Sequence, residues 1–533
     1  MEKSSSSLTK LHRNIWLIPL AIFLIALMVR VIGLKFSFPL LTHHDEKALI
    51  DPLIEMSKNH TLDSGDYRRP NQVLYTVLFG YLNLLSKLLF HKNFGWAYEE
   101  NTLFFYLQAR LVVAFFGATI PVLAWKIGKL IKGVDFSLPA AVLTCFYPSY
   151  MLHSHYIAGD ILNTVFSLAI MLFCLIYLQK KKRMWLILAC IAVALNAVEK
   201  YPGILSYGIV LVTIGIRAFT QERHSSHGNW LFFTREILFT LPVVCGSIFI
   251  FAPHLFFNLG QVWEALINEG RSTHLGADNL SWLGNMNFYL QVFIDAAGWI
   301  VALFAVAGIF ITIASKQPAM LLLFFGAGYW VALSKLGLHW ERWSLPMMIT
   351  PLLLSALGMA KVWETARSHK IVKVLTITFF TIFFVSYALN GMMSSILLTW
   401  QDTRVAALQF AIANNITEEN SVSEGYTPFF PRQVKTIFDF DHNSPGQTNY
   451  VLLSSNMYGR YEAEPERYAL ESGYYGSLRD AAILIGEFEP STKPSSPEDQ
   501  FMVLVDYLAN LLKGTKTSNL TGPTIQIYAL PQE

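Results

Sequence analysis

The feature that most constrains this chain is the recurrence of apolar runs about as long as a bilayer is thick. A helix crossing the hydrocarbon core needs about 20 mostly apolar residues. Runs of that kind occupy 15–34, 103–125, 137–152, 159–178, 184–198, 202–216, 236–253, 286–314, 319–334, 344–360 and 372–398, so hydropathy predicts about eleven spans. Composition excludes the soluble alternative. Hydrophobic residues make up 53% of the 533 positions and charged residues 14%. A soluble domain carries roughly 25% charged residues, and this chain lacks the polar surface to coat such a core in water. The net charge of +3 provides no basic field for a nucleic-acid partner. Cys145, Cys174, Cys190 and Cys245 lie inside apolar runs and imply neither a disulfide framework nor a zinc site.

Basic residues set the expected orientation, because cytoplasmic loops concentrate Lys and Arg. Lys3, Lys10 and Arg13 precede the first run, which is too long for a signal peptide and is expected to remain as a span. With that end inside and 73–90 not crossing, the inner loops collect Lys126, Lys129, Lys132, Lys180, Lys181, Lys182 and Arg183. They also collect Arg217, Arg223, Arg235, Lys316, Lys361, Arg367, Lys370 and Lys373. The short outer loops keep only Lys200, Arg271, Lys335 and Arg342. Were 73–90 a span, the basic clusters would face outward. It is therefore expected to lie at the outer surface or dip into it, with 35–102 extracytoplasmic. The expected domains are a membrane domain, 1–399, and a small extracytoplasmic α/β domain, 400–533. The tail shows a helical pattern after Asp402 (Val405, Leu408, Phe410, Ile412) and strand-like runs at 450–453 and 524–528. The stretch 501–512 reads as strand or helix.

Two acidic sites stand out on the expected outer face. Thr42-His43-His44-Asp45-Glu46 follows the first run and leads into an amphipathic stretch, Ala48, Leu49, Ile50, Leu53, Ile54 and Met56. Asp160 opens another span after His153-Ser154-His155-Tyr156. A carboxylate at the interface costs desolvation unless it has a partner or a role. The scarce outer cations each have two readings. Lys200 follows Glu199, as an ion pair or as a phosphate ligand. Arg342, in His339-Trp340-Glu341-Arg342-Trp343, is an aromatic-belt anchor or a ligand. Arg271, in Glu269-Gly270-Arg271-Ser272, is a solvated loop residue or a ligand. His153 and His155, two apart without further matched ligands, point to interfacial hydrogen bonding rather than to metal. Asp295 falls within 286–314 and there requires a partner or water. Asn415-Ile416-Thr417 and Asn519-Leu520-Thr521 match a glycosylation pattern that is common by chance.

Several groups of residues together resemble the C-type membrane glycosyltransferases, in the branch of protein O-mannosyltransferases and aminoarabinose transferases that use polyprenyl-phosphate sugars. They are Asp45-Glu46 after the first span, Tyr67-Arg68-Arg69-Pro70 with Tyr75, and Arg110 in the second span. Ser149-Tyr150 through His155-Tyr156 to Asp160, and Lys200-Tyr201-Pro202-Gly203, continue the pattern. In the tail, Asp402-Thr403-Arg404 and 450–455 through Arg460-Tyr461 look like the outer domain of bacterial members. One departure is Arg68-Arg69-Pro70-Asn71, where members often show Tyr-Pro or Lys-Pro.

The resemblance implies a C-type fold with interfacial helices in the first outer loop. It implies transfer of a sugar from a polyprenyl-phosphate carrier to an acceptor hydroxyl at the plasma membrane, with Asp45 as base, Glu46 supporting it, and no catalytic metal. Proton removal needs a carboxylate within hydrogen-bond reach of the hydroxyl. The leaving phosphate needs positive charge instead, for which Lys200, Arg342, Arg68, Arg69 and Arg271 are the candidates, with His155 and Tyr67 as further substrate contacts. Asp160 is expected in a hydrogen-bonding or ion-pair role. The acceptor, whether protein, lipid or glycan, stays open. A transporter or flippase of lipid-linked sugars is the competing class, and a polyprenyl-diphosphate-dependent ligase is a third.

Overall fold

The computed structural model describes residues 5–221, 226–269, 271, 273–315, 318–429 and 449–531. Among the basic residues that orient the chain, Lys3, Arg223 and Lys316 lie outside these. The chain divides into two compact units. One comprises residues 1–31, 45–272 and 279–395, and the other 32–44, 273–278 and 396–533.

The first unit is helical. Among the described residues, seven helices are long and apolar enough to cross a membrane: Gln72–Phe90, Thr102–Ile131, Asp160–Lys180, Tyr201–Thr220, His227–Phe251, Glu341–Ala366 and Lys370–Thr399. A bent pair raises the count to eight. The expected eleven are not reached by this measure, because several apolar runs fold as shorter helices. The run 137–152 breaks before Pro148 into Val134–Cys145 and Pro148–His153, and 319–334 yields Met320–Ser334. At 1.5 Å per residue, a 12-residue helix covers only about 18 Å. The run 286–314 is not one straight helix. It turns by 118° between Trp282–Ala297 and the helix that follows, at Gly298, whose φ of 83° suits a residue without Cβ. Asp295 sits exposed just before this turn rather than inside a straight span. The Gln72–Phe90 helix passes the same length and apolarity test as the spans, so those properties alone do not mark it as interfacial.

Packing inside this unit relies on small residues. Trp299–Ser315 and Leu345–Ala366 approach so closely that a Cβ on Gly308 would lie 2.0 Å from the Leu354 carbonyl oxygen, and one on Gly358 2.5 Å from that of Phe304. Close backbone approach is the usual way apolar helices gain dispersion contact where lipid is as apolar as protein. Leu345–Ala366 is buried along most of its length. Lys370–Ile396 instead leaves Ile371, Leu375 and Ile382 exposed, as a helix facing lipid does.

In the second unit a four-stranded sheet has the order β2 (Ser421–Ser423), β3 (Tyr450–Ser454), β6 (Ile525–Ala529), β4 (Ile483–Phe488). β2 and β3 pair in parallel, and β6 runs antiparallel to both its neighbours. β1 (Gln401–Asp402) and β5 (Leu520–Thr521) form a second, two-stranded sheet. Side chains alternate across the strand. Leu452 joins Ala407 and Ala411 of the Thr403–Ala413 helix, while Val451 and Leu453 join Tyr475 and Leu478. Asp402 caps that helix by accepting from the Arg404 N–H at 2.9 Å. The ambiguous stretch 501–512 is helix, started by Pro497 and by a reciprocal capping pair between Ser496 and Asp499.

Candidate active site

Within the first unit a cavity of about 660 Å³ has one charged end and an otherwise apolar lining. Asp45, Arg68, Arg69, Asp160, Lys200 and Arg342 line the charged end, with Asn71 and Asn163. Ile204, Leu205, Ile248, Leu255, Leu333 and Leu336 belong to the apolar part. Residues widely spaced in sequence meet here because four of them stand at helix ends. Asp45 opens His44–Asn59, and Asp160 opens Asp160–Lys180, where a carboxylate is favoured by the helix dipole. Lys200 follows Arg183–Glu199, and Arg342 lies in the single turn before Leu345–Ala366.

The charges are paired across these elements. Asp45 is held between two guanidinium groups. Its Oδ1 accepts from Arg69 Nη1 at 2.8 Å and its Oδ2 from Arg342 Nη1. Asp160, nearly buried, accepts from Lys200 Nζ. Lys200 is thus an ion-pair partner, but of Asp160 and not of Glu199. Four cationic side chains and two carboxylates line this end, leaving a formal surplus of two positive charges. Arg342 also lies over the Trp340 ring, at 5.8 Å from its centroid.

Glu46 takes no part in the cavity lining. Its side chain is 1% exposed against 18% for Asp45, and it forms a two-bond pair with buried Arg110 at 2.9 and 2.7 Å. Its Oε1 also accepts from the Ile157 N–H at 3.1 Å. His155 is likewise absent from the lining. It is fully buried, with Nδ1 2.8 Å from the Met151 carbonyl, one helical turn back. Tyr67 lies outside the lining too. Its hydroxyl donates to Asp63 Oδ2 at 3.0 Å, and partial burial together with that bond pushes its phenol pKa upward. Arg271 is exposed and does not line the cavity. Sequence reasoning passed over Arg110 as a site residue, although a charge inside an apolar run is itself a signal for a buried partner. Asn71, Asn163 and Tyr329 carried no such signal. Among the described residues no three His, Cys, Asp or Glu side chains gather to hold a metal ion.

Residues 75–257 match the family described as dolichyl-phosphate-mannose-protein mannosyltransferase. The matched region contains Asp160 and Lys200, while Asp45, Arg68, Arg69 and Arg342 lie on either side of it. Three solved structures share the fold. Oligosaccharyltransferase AglB from Archaeoglobus fulgidus, in complex with an inhibitory peptide and a dolichol-phosphate, aligns at TM-score 0.54 and 11% identity, over 97% of this chain and 89% of that one. The apo form of the A. fulgidus oligosaccharyltransferase gives TM-score 0.51 and 12% identity, over 96% and 88%. Apo ArnT from Cupriavidus metallidurans gives TM-score 0.50 and 13% identity, over 85% and 95%. No curated protein matches the chain by sequence. The chain thus matches that mannosyltransferase family over residues 75–257 and shares its fold with AglB and ArnT.

Proposed function

We propose that the chain transfers a sugar from a polyprenyl-phosphate carrier to an acceptor hydroxyl at the extracytoplasmic face of the plasma membrane, with inversion at the anomeric carbon. The observation that carries this reading is the charged end of a cavity whose remaining wall is apolar. A lipid-linked phosphodiester needs cations for its phosphate, apolar surface for its chain, and a carboxylate beside the reacting carbon. The solved relatives whose names include a dolichol-phosphate and an oligosaccharyltransferase support the same class.

Asp45 acts as the general base. The acceptor oxygen attacks the anomeric carbon, its proton passes to Asp45, and the bond from that carbon to the phosphate oxygen breaks. Polyprenyl phosphate departs with the electron pair. Arg68, Arg69, Lys200 and Arg342 offset the charge on the leaving oxygen, Arg through paired N–H groups and Lys through a point charge. Arg69 and Arg342 already hold Asp45, so an arriving phosphate competes for them and leaves a carboxylate oxygen to accept the proton. Asp160 orients Lys200, and Glu46 supports Asp45 by fixing the helix start through Arg110. No catalytic metal is proposed. The arrangement of inner and outer loops, with 73–90 at the outer surface and both 35–102 and the tail outside, follows from the basic residues.

The test is purified protein with labelled polyprenyl-phosphate sugars and with peptide, lipid and glycan acceptors. Transfer from a monophosphate donor supports the reading. Movement of lipid-linked sugar across vesicles without transfer, or turnover restricted to polyprenyl-diphosphate donors, contradicts it.

A further inference from the structure

Three consecutive residues next to the cavity hold different parts of its wall. Glu199 is completely buried. Its backbone carbonyl accepts from the Asn71 N–H at 3.1 Å, and its Oε2 accepts from the backbone N–H groups of Val73 and Leu74, each at 3.0 Å. Those two amides belong to the first turn of Gln72–Phe90, which leaves its leading N–H groups without partners inside the helix. The residue that ordinarily caps such an end is the one just before it. Here that is Asn71, in the left-handed region at φ 40°, and its side chain makes no capping bond. Capping is instead supplied by Glu199 from the end of another helix. Lys200 then pairs with Asp160, and the Tyr201 hydroxyl donates to the Tyr67 carbonyl at 2.6 Å.

The segment 67–74 is therefore pinned at one end by Tyr201 and at the other by Glu199. Between the pins stand Arg68 and Arg69, which line the cavity, and Arg69 bonds Asp45. Gly159 leaves room for this arrangement. A Cβ there would lie 2.4 Å from Glu199 Oε1 and 2.5 Å from Asn71 Oδ1.

We infer that Glu199 and Tyr201 are positioning residues that hold segment 67–74 in the register placing Arg68 and Arg69 beside Asp45. One three-residue stretch thereby sets two cations of the cavity, Lys200 directly and Arg69 through its segment. The inference rests on the phosphate-binding role proposed for the cavity.

The test is a double-mutant cycle read by affinity for undecaprenyl phosphate, using Glu199→Gln and Tyr201→Phe, alone and with Arg69→Ala. Glu199→Gln keeps one acceptor but loses the charge, and binding should weaken roughly tenfold, with about fivefold for Tyr201→Phe. In the Arg69→Ala background each change should weaken binding by less than it does alone, with only the part that passes through Arg68 left, because residues that act through one another are not additive. Additive losses would assign Glu199 and Tyr201 to the fold alone and overturn the inference, as would wild-type affinity in both single variants. Amide exchange across 67–74 tests it without any ligand. Exchange should rise in both variants, and unchanged exchange overturns the inference. Absence of undecaprenyl phosphate binding by the wild-type chain would instead count against the proposed function.

Discussion

Asp45 and Glu46 are neighbours in sequence, yet the two sides of the helix they open are different environments. On the cavity side, Asp45 is partly exposed and meets guanidinium groups from two separate elements. On the core side, Glu46 is buried and meets one guanidinium through two bonds, with a backbone N–H completing its shell. The first arrangement leaves room for a substrate and can exchange partners. The second is closed, with no access from the cavity. Two adjacent acids thus separate into a group that can react and a strut that holds it in place.

That contrast is broken most severely from the core side. Removing one partner of a buried ion pair leaves an uncompensated charge and costs about 3–5 kcal/mol. Arg110→Met should therefore lower the thermal midpoint sharply, or abolish recovery of folded protein in detergent. Replacing both partners, as Glu46→Leu with Arg110→Met, should regain much of the loss, since an apolar pair of similar volume is often neutral. Equal damage in the single and double variants would show that Glu46 does more than hold the helix.

Changes on the cavity side should leave folding intact. Lys200→Ala and Arg342→Ala should each weaken donor binding by about 10–150-fold, as loss of a charge-assisted contact does, with a thermal midpoint close to wild type for Arg342→Ala and a lower one for Lys200→Ala, which leaves the nearly buried Asp160 without its partner. Arg271→Ala, at a position away from the lining, should bind donor normally. If Lys200→Ala and Arg342→Ala both bind like wild type while Arg68→Ala or Arg69→Ala does not, the phosphate site belongs to the first outer loop.

The smallest effect concerns a buried acid in the other unit. Glu424 accepts from the Ser454 N–H and from the Tyr475 hydroxyl at 3.0 Å, yet burial raises its pKa to about 8. Because the folded form holds its proton more tightly than the unfolded form, this group's contribution is fully present below about pH 4.5. It is lost as pH rises toward 8. Glu424→Gln, which cannot ionise, should flatten the fall in the thermal midpoint between pH 6 and 8. An unchanged pH slope would mean that Glu424 is not the group responsible.

Much of the membrane unit could be read from apolar run length, because bilayer thickness fixes the number of residues a helix needs. The turn at Gly298 was not read from run length, because hydropathy continues past the glycine, although Asp295 just before it was a charge that marked the place. The cavity was partly legible. Asp160, Lys200 and Arg342 stand at ends of apolar runs and Asp45 in the loop after the first run, and the topology argument assigns them to one face. Partner choice was not legible. Glu199 ends its helix and Lys200 leaves it in extended backbone, so these sequence neighbours turn to different partners, the first turn of Gln72–Phe90 and Asp160. His155 satisfies itself on a carbonyl four residues back, a local bond that competes with any role in the site.

The most direct test of the central claim is Asp45→Asn, measured both for binding and for turnover of a labelled polyprenyl-phosphate sugar. Asparagine keeps the shape of the side chain and removes the proton acceptor. The account predicts a folded protein that still binds donor, with transfer lowered about 10²–10⁴-fold. Turnover at the wild-type rate would contradict it and remove Asp45 from the chemistry.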